Sequence, residues 1–328
     1  MKLPVPFIQL PLMFDAEALA AEINAIDEAS WRPHPEGFAG NSRLPLVAVS
    51  GDPGNESFSG PMAATEYLQR CPYLTQVLAS LGATVGRTRL MRLAGQAEVS
   101  RHADQGYYWA ERVRVHVPVV TQPTVRFECG GAAINMAAGE CWIFDTWRQH
   151  RVLNDATASR IHLVADTIGG EGFWDLVGQG RPHNAPKSAP GWTPQQVTPA
   201  GGPAVEFATE TVNMPVVMNP WELDSHFGLL FADAVPHPNL NQVRARTQRL
   251  VRTWRGLWFR YGDQPEGHDE FRQAMAAYLD EISVAARPLM LNNELSWFGT
   301  MRIMVANAAV RAPSSAAQSG AREYGDNG

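Results

Sequence analysis

The tripeptide His102-Ala103-Asp104 sets an imidazole and a carboxylate two residues apart, and His150 follows 46 residues after the aspartate. On an extended segment, residues two apart project to the same side, so His102 and Asp104 can reach one ion while Ala103 faces away. A second histidine arriving from a later strand would complete two imidazoles and one carboxylate. Such a set holds Fe(II) on one face and leaves positions open for a substrate and O2. An HxD tripeptide alone is a weak signal, because a surface His beside a surface Asp arises often by chance.

The surrounding sequence adds weight. Arg112, Arg114 and His116 alternate with Val113, Val115, Val117 and Val119. Period two puts the polar groups on one face and the valines on the other. A buried valine face implies a core strand, whose opposite face is either a solvated basic edge or the lining of a cavity. Arg160 and His162 repeat the device in RIHLVAD. An arginine inside a barrel mouth needs an anion, since an unpaired buried charge is costly. A dicarboxylate cosubstrate would supply one, gripped by the planar guanidinium fork. Tyr107, Tyr108 and Trp109 could wall a substrate or be plain core. Asp145 could orient an iron histidine or cap a turn.

These groups need strands to hold them. Short strand patterns occupy 88–93, 112–120, 124–128, 132–136, 141–145 and 160–166, with turn signals at Gly130-Gly131 and Gly139. Strands this close, without helices between them, predict an antiparallel sandwich or barrel. Helical patterns at 15–27 and 74–81 precede or interrupt them, and the apolar stretch 3–14 reads as an opening strand. The second half is helical: 240–261, 270–286 and 295–310 each space apolar residues three or four apart. The expected organisation is an antiparallel β-domain over 1–180, a Pro-rich linker over 181–205, a helical domain over 206–312 and a frayed polar tail over 313–328.

The sequence RLMRLAGQAEVSRHADQGYYWAERVRVHVPV, followed by CGGAAINMAAGECWIFDTWRQHRVLNDATASRIHLVADT, resembles the aspartyl/asparaginyl β-hydroxylase family, to which bacterial proline hydroxylases are related. The resemblance spans roughly residues 87–167, with weaker similarity upstream. It implies a double-stranded β-helix (jelly-roll, cupin-like) domain and an Fe(II)- and 2-oxoglutarate-dependent oxygenase. Such an enzyme uses O2 to hydroxylate an amino acid or an Asp/Asn-type residue in a peptide, releasing succinate and CO2. By this resemblance His102 and His150 look like the iron histidines, and Arg160 like the anchor of the distal 2-oxoglutarate carboxylate. Arg114 and His116 match an Arg-x-His that lies against cosubstrate and iron, and Tyr107, Tyr108, Trp109 and Arg112 are candidates for substrate contact. Two departures stand out. Asp104 replaces a glycine of the animal members, which points to a full two-His-one-carboxylate site, and Met91 replaces a serine that assists the arginine.

Composition bounds the alternatives. The chain has 328 residues and a net charge of −6, which excludes a general nucleic-acid binder. Of its 27 basic side chains 25 are Arg, the lysines being Lys2 and Lys187. Cys71, Cys129 and Cys141 form no CxxC pair and read as buried thiols in a reducing compartment, the cytoplasm. No apolar run is long enough for a membrane helix. The arginine-rich stretch 240–261 reads as a solvated helix face paired with acids such as Asp269, Glu270, Asp280 and Glu281 rather than an acidic-ligand site. A homodimer through the helical domain is a further expectation. Rival readings are a cupin-like metal- or ligand-binding module without turnover, and a zinc hydrolase on the same ligands.

Overall fold

The computed structural model describes residues 1–34, 37–186, 191–201 and 205–311. The expected tail over 313–328 and parts of the Pro-rich stretch lie outside them. The described residues divide into two compact units, one formed by 1–103 and 111–213, the other by 104–110 and 214–311.

The first unit is built on β-strands. In chain order they are β1 (Phe7–Phe14), β2 (Arg32–Pro33), β3 (Asn41–Val49), β4 (Met62–Ala64), β5 (Thr84–Leu93), β6 (Glu98–His102) and β7 (Val113–Val120). There follow β8 (Val125–Cys129), β9 (Ala132–Ile134), β10 (Glu140–Phe144), β11 (His150–Asn154), β12 (Arg160–Gly169), β13 (Arg181–Pro182) and β14 (Gln195–Val197). Among the described residues, ten strands form a sheet with the path β13-β1-β10-β7-β12-β5-β3-β2, while β14 pairs β1 and β4 pairs β3. A second sheet runs β6-β11-β8-β9. All pairings are antiparallel except β1 with β14. The mainly antiparallel jelly-roll class expected for the first part of the chain is therefore what forms.

The alternation in β7 explains the large sheet. Val113, Val115, Val117 and Val119 all enter the main core with Leu163, Leu90, Leu44 and Ile143 from neighbouring strands. Burying a valine side chain fully is worth roughly 1.5–3 kcal/mol, so this face fixes the register. Helices α1 (Ala16–Asn24), α2 (Glu66–Gln69) and α3 (Pro72–Ser80) contribute Leu19, Ile23, Leu68, Leu74, Val77 and Leu78 to the same core. Asp15 caps α1 by accepting from the Ala18 amide at 3.0 Å. The opposite face of the sheet carries the polar residues and a smaller apolar cluster, in which Phe7, Trp142 and Phe144 meet Phe127, Val99 and Val152 of the second sheet. Gly130 and Gly131 turn β8 into β9 with φ of +54° and +84°, a left-handed pair that glycine adopts without strain.

The Pro-rich stretch expected to be a linker carries β13 and β14, both paired with β1. Pro182 is tolerated there because β13 is the outermost strand of the path and that position needs no ladder donor. The division between units also falls at 213 rather than 205, because Glu210 remains with the sheet unit through Arg112.

The second unit is helical, as expected. It contains α4 (Tyr107–Ala110), α6 (Pro220–Ala232), α7 (Leu240–Tyr261), α8 (His268–Ala286) and α9 (Trp297–Met301), whereas α5 (Glu171–Gly178) belongs to the sheet unit. Asn219 caps α6 by accepting from the Trp221 and Glu222 amides, with Pro220 in the first turn. Between α7 and α8, Trp254 packs on Phe271 with centroids 4.7 Å apart, and Thr247 Oγ1 lies 2.6 Å from the Tyr278 hydroxyl. The single helix expected over 295–310 is α9 followed by a π-turn at Arg302–Ala306. The arginine-rich face of α7 pairs outward: Arg246 with Glu281 at 2.7 Å and Arg255 with Asp224 at 3.3 Å.

Candidate metal centre and anion pocket

β6 and β11 run side by side in the small sheet with His102 directly opposite His150, their rings 4.2 Å apart. Each imidazole is fixed in the same way. His102 Nδ1 lies 2.7 Å from the Ser100 carbonyl, and His150 Nδ1 lies 2.8 Å from the Arg148 carbonyl. A carbonyl can only accept, so both rings carry the proton on Nδ1 and present the Nε2 lone pair. Nε2 of His150 is buried with no hydrogen-bond partner among the described residues. Asp104 follows His102 by two residues, and one ligand atom from each of His102, Asp104 and His150 falls within 4.8 Å of the others. Burial, reinforced by His102, pushes the His150 imidazole well below its ordinary value and keeps it neutral, the form that binds a cation. Two oriented imidazoles and a buried carboxylate fit a first-row divalent metal.

The polar face of the large sheet carries Arg160, His116 and His162, all buried. Arg160 lies opposite Leu93 of β5 and is 1% exposed, yet its Nε and Nη1 find no hydrogen-bond partner among the described residues. Burial draws its guanidinium down to about 10, which leaves it charged at neutral pH. Two residues along, His162 Nδ1 lies 3.3 Å from His116 Nδ1. Burial, with the charge of Arg160 behind it, holds both histidines well below their usual value. Met91 is the cross-strand neighbour of His162, so the position where the resemblance expects a helping serine faces an imidazole instead.

The other expected site residues are divided between the units. Arg114 is fully buried and donates from Nε to Asp166 Oδ1 at 3.1 Å, and Arg89 lies 3.7 Å from the same carboxylate. Arg112 is clasped by Glu210, with Nε and Nη2 each at 2.8 Å from its two oxygens. Tyr107, Tyr108 and Trp109 are buried in α4 of the helical unit, where the Tyr107 hydroxyl donates to Glu222 and its ring stands edge-on to His226 at 5.4 Å. Asp145 accepts from the Trp147 amide at 3.0 Å and from Arg148 Nε at 2.9 Å, a turn-capping arrangement. Asp166 was legible in principle: it ends RIHLVAD at period two from Arg160. Glu210 had no local signal, since it stands 98 residues from Arg112.

Residues 57–169 match the family Aspartyl/Asparaginyl beta-hydroxylase. The match encloses His102, Asp104, His150, Arg114, His116 and Arg160, and it bears out over that segment the resemblance read from the sequence. No curated protein matches the chain. Among solved structures, an oxidoreductase of the 2OG-Fe(II) oxygenase family from Burkholderia pseudomallei is 15% identical with a TM-score of 0.36, covering 50% of this chain and 86% of its own. A prolyl-4-hydroxylase from Pseudomonas putida is 19% identical with a TM-score of 0.33, covering 50% and 92%. HygX from Streptomyces hygroscopicus, solved with nickel, 2-oxoglutarate and hygromycin B, is 12% identical with a TM-score of 0.34, covering 51% and 84%. Among the described residues no helix is long and apolar enough to cross a membrane.

Proposed function

We propose that this protein is an Fe(II)- and 2-oxoglutarate-dependent hydroxylase of an amino acid, or of an Asp/Asn-type residue in a peptide, working in a reducing, cytoplasmic setting. The observation that carries the reading is Arg160, a buried guanidinium whose Nε and Nη1 lack hydrogen-bond partners among the described residues, in a chain that also brings His102, Asp104 and His150 together. A buried cation in that state calls for an anion of matching shape, and a carboxylate fits its fork. A zinc hydrolase on the same three ligands would have no use for such an anchor.

His102, Asp104 and His150 would hold the iron, whose role when bound is to activate O2 for hydroxylation while 2-oxoglutarate is converted to succinate and CO2. Arg160 would take the distal carboxylate of 2-oxoglutarate, with His162 and His116 as neutral neighbours in place of the missing serine. The carbonyls of Ser100 and Arg148 keep the two iron histidines in their ligating tautomer. Phe127 and Phe144 flank His150, at 6.5 and 4.9 Å between centroids, and exclude water from that side. Tyr107, Tyr108 and Trp109 would contribute substrate contacts. Protein purified without oxygen and loaded with Fe(II) should form succinate from 2-oxoglutarate once air is admitted, faster when its substrate is present. Metal-loaded protein that neither binds nor consumes 2-oxoglutarate would overturn the proposal.

A further inference from the structure

The acids that meet the buried arginines differ in one respect. Asp166 and Glu210 are themselves sealed, at 0% and 1% side-chain exposure. Glu56 is 39% exposed, yet it serves two buried guanidiniums at once. Arg43 of β3 grips both its oxygens, and Arg87 of β5 donates to Oε2 at 3.1 Å. The Arg87 guanidinium also rests on the Phe58 ring, 4.5 Å from its centroid, which fixes it without Glu56. Both cations thus stand on strands of the sheet, while Glu56, like the buried ring of Phe58 two residues on, comes from the segment between β3 and β4.

That segment keeps its shape by local bonds. Asp52 accepts from the Gly54 amide at 2.7 Å and Asn55 from the Ser57 amide at 2.9 Å. Glu56 can therefore swing into water by side-chain rotation alone, leaving two oriented guanidiniums on the polar face of the large sheet. Register connects Arg43 to the buried polar residues described above: Arg43 faces Met91, which faces His162.

We propose that Arg43 and Arg87 form a second anion site, in which Glu56 is a resident stand-in that yields to the carboxylate or phosphate of an incoming molecule. The exchange replaces one anion by another, so neither guanidinium is left unpaired, and the departing carboxylate regains its hydration. On the hydroxylase reading this anion belongs to the substrate, making the substrate an acidic molecule; that assignment rests on the reading, whereas the site does not.

The test uses the full-length, metal-free protein, so its outcome is independent of the succinate assay. Acetate and inorganic phosphate are titrated separately into wild type, Glu56→Gln, and Glu56→Gln with Arg43→Met, by calorimetry and by thermal melting. Glu56→Gln should bind at least one of the two anions about tenfold or more tightly than wild type, as expected when a charge-assisted competitor is removed. Its melting temperature should rise with that anion, and the better ligand names the group. Both gains should vanish with Arg43→Met and survive Arg160→Met, which separates this site from the cosubstrate pocket. Should Glu56→Gln fail to fold, Glu56→Asp, with its shorter carboxylate, should show a smaller gain for the same anion. No gain for either anion, or a gain that persists without Arg43, makes Glu56 a structural partner only and overturns the proposal.

Discussion

Replacing Arg160 by Met should move ligand binding and apo stability in opposite directions. The guanidinium is 1% exposed, and its Nε and Nη1 lack partners among the described residues. Exchanging a buried ion for an apolar side chain of similar length removes a desolvation cost, and about 1–4 kcal/mol of added stability is the expected range. Two charge-assisted hydrogen bonds to a bound carboxylate contribute about 3–5 kcal/mol together. At about 1.4 kcal/mol per factor of ten, the variant should bind 2-oxoglutarate roughly a hundred- to several thousand-fold more weakly. Urea unfolding of Mn(II)-loaded protein, with and without 2-oxoglutarate, reads both effects. At 2-oxoglutarate a hundred times its Kd, wild type should gain about 2.7 kcal/mol and the variant almost nothing. Arg160→Lys keeps the charge but not the planar fork, and should recover only part of the affinity. The reasoning is refuted if Arg160→Met is less stable than wild type without ligand and 2-oxoglutarate still stabilises both proteins equally.

Other consequences are open to direct measurement. His150→Ala and Asp104→Ala should each weaken Mn(II) binding by at least about 100-fold, since loss of outer-shell partners alone costs 10–100-fold; titration followed by electron paramagnetic resonance reads this, and wild-type affinity in Asp104→Ala would remove that residue from the ligand set. Removing either partner of the buried Arg112–Glu210 pair should cost about 3–5 kcal/mol, with much of it recovered when Arg112→Met and Glu210→Gln are combined; additive losses in urea melts would show that the two are not coupled. Burial pushes the Cys71 thiol up to about 11 and the Cys141 thiol higher still. At pH 8 the Cys71 thiolate fraction is then about one in a thousand, so native protein should resist a thiol reagent until denatured. Stoichiometric labelling of the native chain would contradict that burial.

What the sequence disclosed, and what it hid, follows the range of the interactions. The valine alternation of β7 marked both the core face and the polar face because period two is a local property. The bounds of α7 were legible at both ends, where Gly262 follows the helix with φ of +59°. The pairing of His102 with His150 is legible from ligand types and from the resemblance, while their direct cross-strand register is a property of the fold alone. β3 was missed, since its RLPLVAV run is apolar on both faces and carries Pro45, which sits where the register with β5 shifts. The carboxylates Glu56, Asp166 and Glu210 went unnamed because each meets its arginine across the sheet or from a distant segment, and no spacing rule reports such a pair. The strands within the Pro-rich stretch were hidden by composition, although an edge position needs few donors.

The helical unit takes its residues from two separate stretches, and this orders events in the life of the chain. As synthesis proceeds from the amino terminus, all the strands have been made before residue 214 leaves the ribosome. The segment 104–110, immediately after β6, counts with helices that do not yet exist. Gln105 accepts from Thr300 at 2.9 Å and Tyr107 donates to Glu222, so both wait on more than a hundred further residues. His102 and His150 thus pair within one small sheet whose strands are complete early, whereas Asp104 belongs to the unit whose chain is completed last. On the hydroxylase reading, a chain truncated before residue 214 would keep His102 and His150 paired across β6 and β11, while Asp104 would lack the rest of its own unit.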